Sequence, residues 1–338
     1  MTSRHPLQSV PVIDISPYRD GSDKTSVARL VAQACRDIGF LVIDGHGVDP
    51  SLIAATRRIA ATFFDLPLVE KMRVARPRPD VARGYIGIGS ESVGRSRDPN
   101  ATEGDLNESM MIGPVDLPAP DYAFAPDAGR HFAPNLWPEH PADLQPVWTD
   151  YYRAMGDLAA TLMRIFALAL DLEEAFFDDK INHHISRLRV RNYPALRTPP
   201  KPGQLRAGAH SDYGSLTILN TEDRPGGLQV FNAAGEWVDV PIIEGTFVIN
   251  IGDLMARWTN DAWVSTLHRV VNPPDNAGME TRRQSLVFFH NPNYDAAVAC
   301  IPTCLAPGAE PKYQATTSGE HLRQLFTRTQ NPVLTPPV

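Results

Sequence analysis

Cysteine is nearly absent: Cys35, Cys300 and Cys304 are the three among 338 residues. An odd, sparse set excludes a disulfide framework and fits a reducing compartment. Cys300 and Cys304 stand close enough to share a metal, but a structural zinc site wants four ligands and no second pair follows, so ordinary buried thiols are the expectation. No basic run occurs and the net charge is −7, which argues against a nucleic-acid backbone as partner. No segment reaches about 18 consecutive apolar residues, and MTSRHPLQSVPVIDIS lacks an apolar signal core. The expectation is a cytoplasmic protein outside the membrane, with no obligate protein partner evident. Internal repeats are missing too, and the sole biased tract is the Pro-tinged NPVLTPPV at the end.

What is present is ordinary globular material, 43% hydrophobic and 21% charged, enough for one large domain or two small ones. VPVIDIS at 10–16 alternates like a strand. SDKTSVARLVAQACRDIGF has Val27, Leu30, Val31, Ala34, Cys35 and Ile38 on one helical face, with Ser22 or Asp23 to cap it and Gly39 to end it. FLVIDG at 40–45 is a buried strand, Pro50 opens a helix to about Phe64, and PLVEKM at 67–72 makes a short turn of helix. Residues 75–145 are poor in periodicity and rich in Gly, Pro, Asp and Ser. They read as loops and short elements, with GYIGIGSESV at 84–93 as a hairpin or strand, and such a stretch is often a lid. Helical spacing returns at 146–171. From 185 onward the chain is short β-rich runs separated by Gly, Pro, Asn or Asp, with NAAGEW as a hairpin turn, and this argues for a sandwich or barrel with the helical part packed outside.

Within AGAHSDYGSLTIL, His210 and Asp212 sit two positions apart, so on a strand both side chains face one way. Alone, the pair reads equally as a surface histidine beside a capping aspartate. A third donor changes the weight. His268 in STLHRVVNP lies 56 positions after Asp212 on another β-rich run, room for the chain to return to the same end of a barrel. Two histidines and one carboxylate form the facial triad that holds Fe(II) and leaves the opposite face open for O₂. In RRQSLVFF, Arg283 and Ser285 share a strand face with Val287 and Phe289. A guanidinium facing into a barrel is costly unless it meets an anion, and with a hydroxyl it matches a carboxylate. A surface Arg–Asp pair, or Arg282 in that part, explains the spacing as well.

AHSDYGSLTIL, GGLQVF, INIGDLMARWTND, STLHRVVNP and RQSLVFFHNPN, in this order, resemble the isopenicillin-N-synthase-like family of 2-oxoglutarate- and Fe(II)-dependent oxygenases. VPVIDIS, DIGFLVIDGHGV and FFDLPLVEKM resemble the same family's N-terminal region, so the likeness spans roughly 10 to 325. It implies a β-rich α+β fold, with a double-stranded β-helix (jelly-roll) core and helices packed on the outside. It divides the chain into an N-terminal region with lid loops (1–145), a long supporting helix (146–184), the core (185–300) and a C-terminal segment (301–338). It implies iron on His210, Asp212 and His268. Arg283 and Ser285 would hold the distal carboxylate of 2-oxoglutarate, joined by Tyr193 in VRNYP, with Asn192 as the weaker choice there. The implied reaction uses Fe(II), 2-oxoglutarate and O₂ to oxidise an unactivated C–H of a small molecule, releasing succinate and CO₂. Hydroxylation is the default, and desaturation or ring formation is the variant.

Two rivals stand beside it. One is an iron/O₂ oxidative cyclase that does without 2-oxoglutarate and uses the same Arg-x-Ser pair on a substrate carboxylate. The other is a non-catalytic metal- or ligand-binding barrel. Arg83, Tyr85 and Phe289 are the residues taken as substrate contacts. His46 reads as structural, His183 and His184 as lying at a helix end, and His290 as facing away from Arg283 by parity.

Overall fold

Strand parity separates the two main cores of this molecule. The computed structural model describes residues 9–96, 103–196, 198–274 and 281–330. Among them run β1 (Val12–Asp14), β2 (Phe40–Asp44), β3 (Gly84–Ile86), β4 (Glu108–Ile112), β5 (Arg187–Tyr193), β6 (Ala207–His210), β7 (Leu216–Thr221), β8 (Leu228–Phe231), β9 (Trp237–Asp239), β10 (Phe247–Ile251), β11 (His268–Val270) and β12 (Arg283–His290). Eight form one sheet in the order β1-β2-β10-β7-β12-β5-β4-β3, and four form a second, β6-β11-β8-β9. Every pairing is antiparallel except β1 with β2.

The larger sheet is covered on one face by helices and on the other by the smaller sheet. In β2, Leu41 and Ile43 join the core that also holds Val31, Phe63 and Leu162 from three helices. Phe40 and Val42, of opposite parity, join Leu228, Val230 and Val270 of the smaller sheet. A strand buried on both faces loses the polar alternation of a half-exposed one, which is why FLVID is continuously apolar.

The three helices are Lys24–Asp37, Pro50–Phe64 and Leu144–Ala169, all within two or three residues of where the spacing put them. Asp23 caps the first by accepting from the Ser26 amide at 2.9 Å. Gly39 follows in the left-handed region at φ 67°, where a Cβ would also collide with the Val264 carbonyl. The NAAGEW turn joins β8 to β9 as expected, with the Asn232 side chain accepting from the Ala234 and Glu236 amides.

In the region 75–145 the strand expected at 84–93 is present as β3, while β4 was not foreseen; together they extend the large sheet beyond β5. Every residue of ESMMI in β4 is buried. With both faces covered there is no period-2 pattern to read, and two methionines carry little β preference.

Candidate active site

His210 ends β6 and His268 begins β11, and the two are direct cross-strand partners. Their rings lie 4.3 Å apart, centroid to centroid. Asp212 follows β6 by two residues and is buried. Its loop is fastened by the Asp253 amide, which donates to the Asp212 carbonyl at 2.7 Å, and by close packing of Gly214 on Gly252, where a Cβ on either glycine would strike backbone. The result places Asp212 Oδ1 at 3.8 Å from His210 Nε2 and 3.7 Å from His268 Nε2. One donor atom from each of the three falls within 4.8 Å of the others.

Lone pairs decide whether this group suits a divalent ion. His210 Nδ1 sits 2.8 Å from the Gly208 carbonyl, and His268 Nδ1 3.1 Å from the Thr266 carbonyl. A carbonyl only accepts, so both Nδ1 atoms carry the proton and both Nε2 lone pairs face the centre. Asp212 Oδ2 accepts from Thr217 Oγ1 at 2.6 Å and from Asn250 Nδ2 at 2.8 Å, which leaves Oδ1 turned toward the two rings. Oriented donors with their far atoms already bonded are the arrangement of a built metal site. Burial and the neighbouring His268 hold the His210 imidazole well below its ordinary pKa. Burial acts to raise the Asp212 carboxyl, but His268, His210 and the Thr217 and Asn250 hydrogen bonds together hold it below the usual range. Neutral imidazoles and a charged carboxylate are the states a cation needs.

The register of the large sheet sorts the remaining expectations. Arg283 pairs with Tyr193 and Ser285 with Arg191 across β12 and β5, so these four side chains share the face turned toward the smaller sheet. Arg283 is 1% exposed. It donates to the Gly226 carbonyl and to Thr221 Oγ1, and Thr221 in turn hydrogen-bonds Ser285 at 2.9 Å. Its Nε has no partner, and among the described residues no carboxylate lies within ion-pair distance. Burial accordingly lowers its pKa. Tyr193 lies between two guanidiniums, 5.7 Å from Arg283 and 5.8 Å from Arg206. Arg206 is also buried and spends its donors on the Pro225, Pro194 and Thr281 carbonyls. Two buried cations without an acid beside them suit an anion such as a carboxylate.

Asn192 is not part of this group. It pairs with Gln284 and Glu108 on the opposite, helix-facing side, donating to Glu108 and accepting from Arg282. Adjacent strand residues point opposite ways, so Tyr193 inside forces Asn192 outside. Tyr85 lies on that outer side as well, its hydroxyl donating to Glu108 at 2.6 Å. Arg83 spends its guanidinium on the carbonyls of Ala82, His131 and Ala133. Neither Arg83 nor Tyr85 lines the cavity beside the triad, whereas Phe289 does. His46 binds the Gly245 carbonyl, and His290 meets Ser215 on the far face of β12.

That cavity, of about 320 Å³, is lined by His210 and Asp212 on one side and Phe289, Arg187, Arg189 and Arg191 on another. It does not reach Arg283, Ser285 or Tyr193, which lie farther along the sheet. The three arginines escaped the reading of the sequence, although RLRVRNY carries the signal: arginine at every second position is one cationic strand face.

Two family models match, the N-terminal region of "non-haem dioxygenase in morphine synthesis" over residues 10–140 and the "2OG-Fe(II) oxygenase superfamily" over 183–292. The "2-oxoglutarate-Fe(II) type oxidoreductase hxnY" of Emericella nidulans is 33% identical, covering 94% of this chain and 89% of that one. This chain belongs to the 2OG-Fe(II) oxygenase superfamily. The oxygenase is also 33% identical to "Homoarginine-6-hydroxylase 2-ODD-233" of Oryza sativa subsp. japonica, covering 94% of this chain and 96% of the relative. Among solved structures it is similar to a full-length Neurospora crassa protein in complex with alpha-KG and thymine, with a TM-score of 0.82 and 32% identity over 96% of this chain and 97% of that one. It is a 2-oxoglutarate- and Fe(II)-dependent dioxygenase using O₂, and His210, Asp212 and His268 offer it a group able to hold the metal. No helix among the oxygenase's described residues is long and apolar enough to cross a membrane.

Proposed function

We propose that this oxygenase hydroxylates an unactivated C–H of a small molecule and converts 2-oxoglutarate to succinate and CO₂. In this reading the two sheets are the walls of a double-stranded β-helix, and the reaction takes place between them. His210, Asp212 and His268 hold the iron. Arg283 and Ser285, with Tyr193 beside them, anchor the distal carboxylate of 2-oxoglutarate. Bound iron supplies the activation of O₂ and the oxidising power directed at the substrate.

The observation that carries the reading is the conjunction of two half-finished groups on facing walls. Three donors converge with their lone pairs aimed at one point, and a buried guanidinium retains an unpartnered Nε. Each is costly as it stands and is relieved by the ligand its chemistry requires. Thr217 and Asn250 keep the Asp212 carboxylate turned toward the rings. Phe289 gives the cavity wall an apolar surface for the body of the substrate. A cavity of about 320 Å³ is at the small end of the range that holds drug-sized molecules. The hydroxylase named among the relatives supports hydroxylation as the outcome.

The test is anaerobic titration with Fe(II) and 2-oxoglutarate, followed by O₂. A visible charge-transfer band, and then succinate formed from 2-oxoglutarate, are expected. No band and no succinate would contradict the reading and leave the oxidative cyclase or the non-catalytic barrel in its place.

A further inference from the structure

The inner face of β5 carries more positive charge than the residues around it can answer. Arg187, Arg189 and Arg191 all line the cavity, joined by Arg76 from the N-terminal region. The nearest acid, Glu91, is already committed, to Arg76 at 2.6 Å and to Arg189 at 2.5 Å. Among the described residues, Arg191 hydrogen-bonds the neutral side chain of Asn107, at 3.3 Å, and forms no ion pair. Arg187 has less. Its guanidinium lies 4.8 Å from the Phe326 ring, and among the described residues no carboxylate comes within ion-pair distance. Of the acids of an adjoining cavity that Arg187 also borders, Asp80 is held by Arg78 and Arg130, Asp295 by Tyr122 and Glu320 by Arg323, and none of them, nor Asp127, makes an ion pair with Arg187. Burial and the neighbouring Arg83 push the Arg187 pKa down to about 9, as expected of a cation short of a counter-charge.

Register fixes where this charge stands. Arg187 pairs with Phe289, and Phe289 pairs with Thr217, the residue that orients the metal-facing carboxylate. Arg187 therefore lies two strand spacings, roughly 10 Å, from the triad's support, with the Phe289 ring between them. Arg283 is six residues from Phe289 on β12, roughly 20 Å of strand. The two guanidiniums therefore stand roughly 20 Å apart, too far to grip one small carboxylate.

We propose that Arg187 is the specificity-determining anchor for the prime substrate and that this substrate is a small monocarboxylic acid. Its carboxylate meets the Arg187 guanidinium, its apolar body lies along Phe289, and a C–H a few bonds from the carboxylate reaches the centre. The proposal rests on the oxygenase reading and deepens it.

The test holds the protein anaerobic with Fe(II) and saturating 2-oxoglutarate. It is titrated with aliphatic and aromatic monocarboxylic acids, each beside its primary amide, while the charge-transfer band is followed. At least one acid should perturb the band at a concentration roughly tenfold or more below its amide. Arg187→Gln should bring that acid to the level of its amide and leave the affinity for 2-oxoglutarate unchanged. Arg187→Lys, which keeps the charge, should retain part of the preference, and it decides the matter if the glutamine variant does not fold. Acids and amides acting alike, no acid acting at all, or a preference intact in Arg187→Gln would each overturn the proposal. The band itself needs only iron and 2-oxoglutarate, so its presence beside any of those outcomes leaves the oxygenase reading standing.

Discussion

Two buried polar clusters lie on opposite faces of the same sheet, and they differ in how far they are satisfied. On the helix-facing side, Glu108 is surrounded. Lys71 and Tyr85 donate to one of its carboxylate oxygens and Asn192 to the other, and Arg282 closes onto Asn192. On the inner side, three donors converge on one point, Arg283 keeps an unpartnered Nε, and Arg187 faces a ring. Both clusters are largely buried, with Arg187 and His210 partly exposed, so burial alone does not separate scaffold from site. What separates them is that the first is complete in itself, while the second reaches its lowest energy only with something bound.

That contrast can be broken by substitution, the inner cluster losing chemistry and the outer one stability. The largest effect is expected at the triad. His268→Ala or Asp212→Ala should abolish succinate formation and iron retention, checked by metal content after gel filtration, while the unfolding midpoint in urea stays near that of the metal-free parent. Glu108→Ala should do the reverse. Removing one partner of a buried pair strands Lys71 and costs roughly 3–5 kcal/mol of stability, read by urea unfolding, and the surviving folded fraction should bind 2-oxoglutarate as before. Arg283→Ala should raise the dissociation constant for 2-oxoglutarate by about 30- to several-thousand-fold, which corresponds to roughly 2–5 kcal/mol. A wild-type constant in that variant would contradict its assignment. Thr217→Val removes one donor from Asp212 and should weaken Fe(II) binding by roughly 10- to 100-fold with little change in fold. The smallest effect belongs to Tyr85→Phe, about 0.5–1.5 kcal/mol of stability from one lost hydrogen bond, with turnover unchanged. If turnover instead falls, the outer cluster is not mere scaffold.

Legibility in the sequence followed the same division. The helices Lys24–Asp37, Pro50–Phe64 and Leu144–Ala169 were readable because each has one apolar face and a polar one, which leaves a period of 3.6 in the residues. Strand β4 was not, because burial on both faces erases its period. The His-x-Asp spacing and the distant His268 could be singled out as metal-capable types, and parity alone separated Arg283 and Ser285 from His290. Parity also argued against Asn192 beside Tyr193. For Arg83 and Tyr85 local pattern had no bearing, since whether a side chain faces the cavity there depends on where β3 docks. Thr217, Asn250 and Arg206 carry no signal of their own, being ordinary residues made important by what stands opposite them.

Periodicities, side-chain types and, through alternation, which neighbours on a strand share a face are written into the residues, since they follow from backbone geometry within a few positions. Which faces meet is set by long-range packing. Whether His268 pairs with His210, whether a guanidinium finds a carboxylate, and which arginine of β5 is left without one depend on contacts between segments tens to hundreds of residues apart. Those contacts come from the packing of two cores against a shared sheet, and no local rule encodes that.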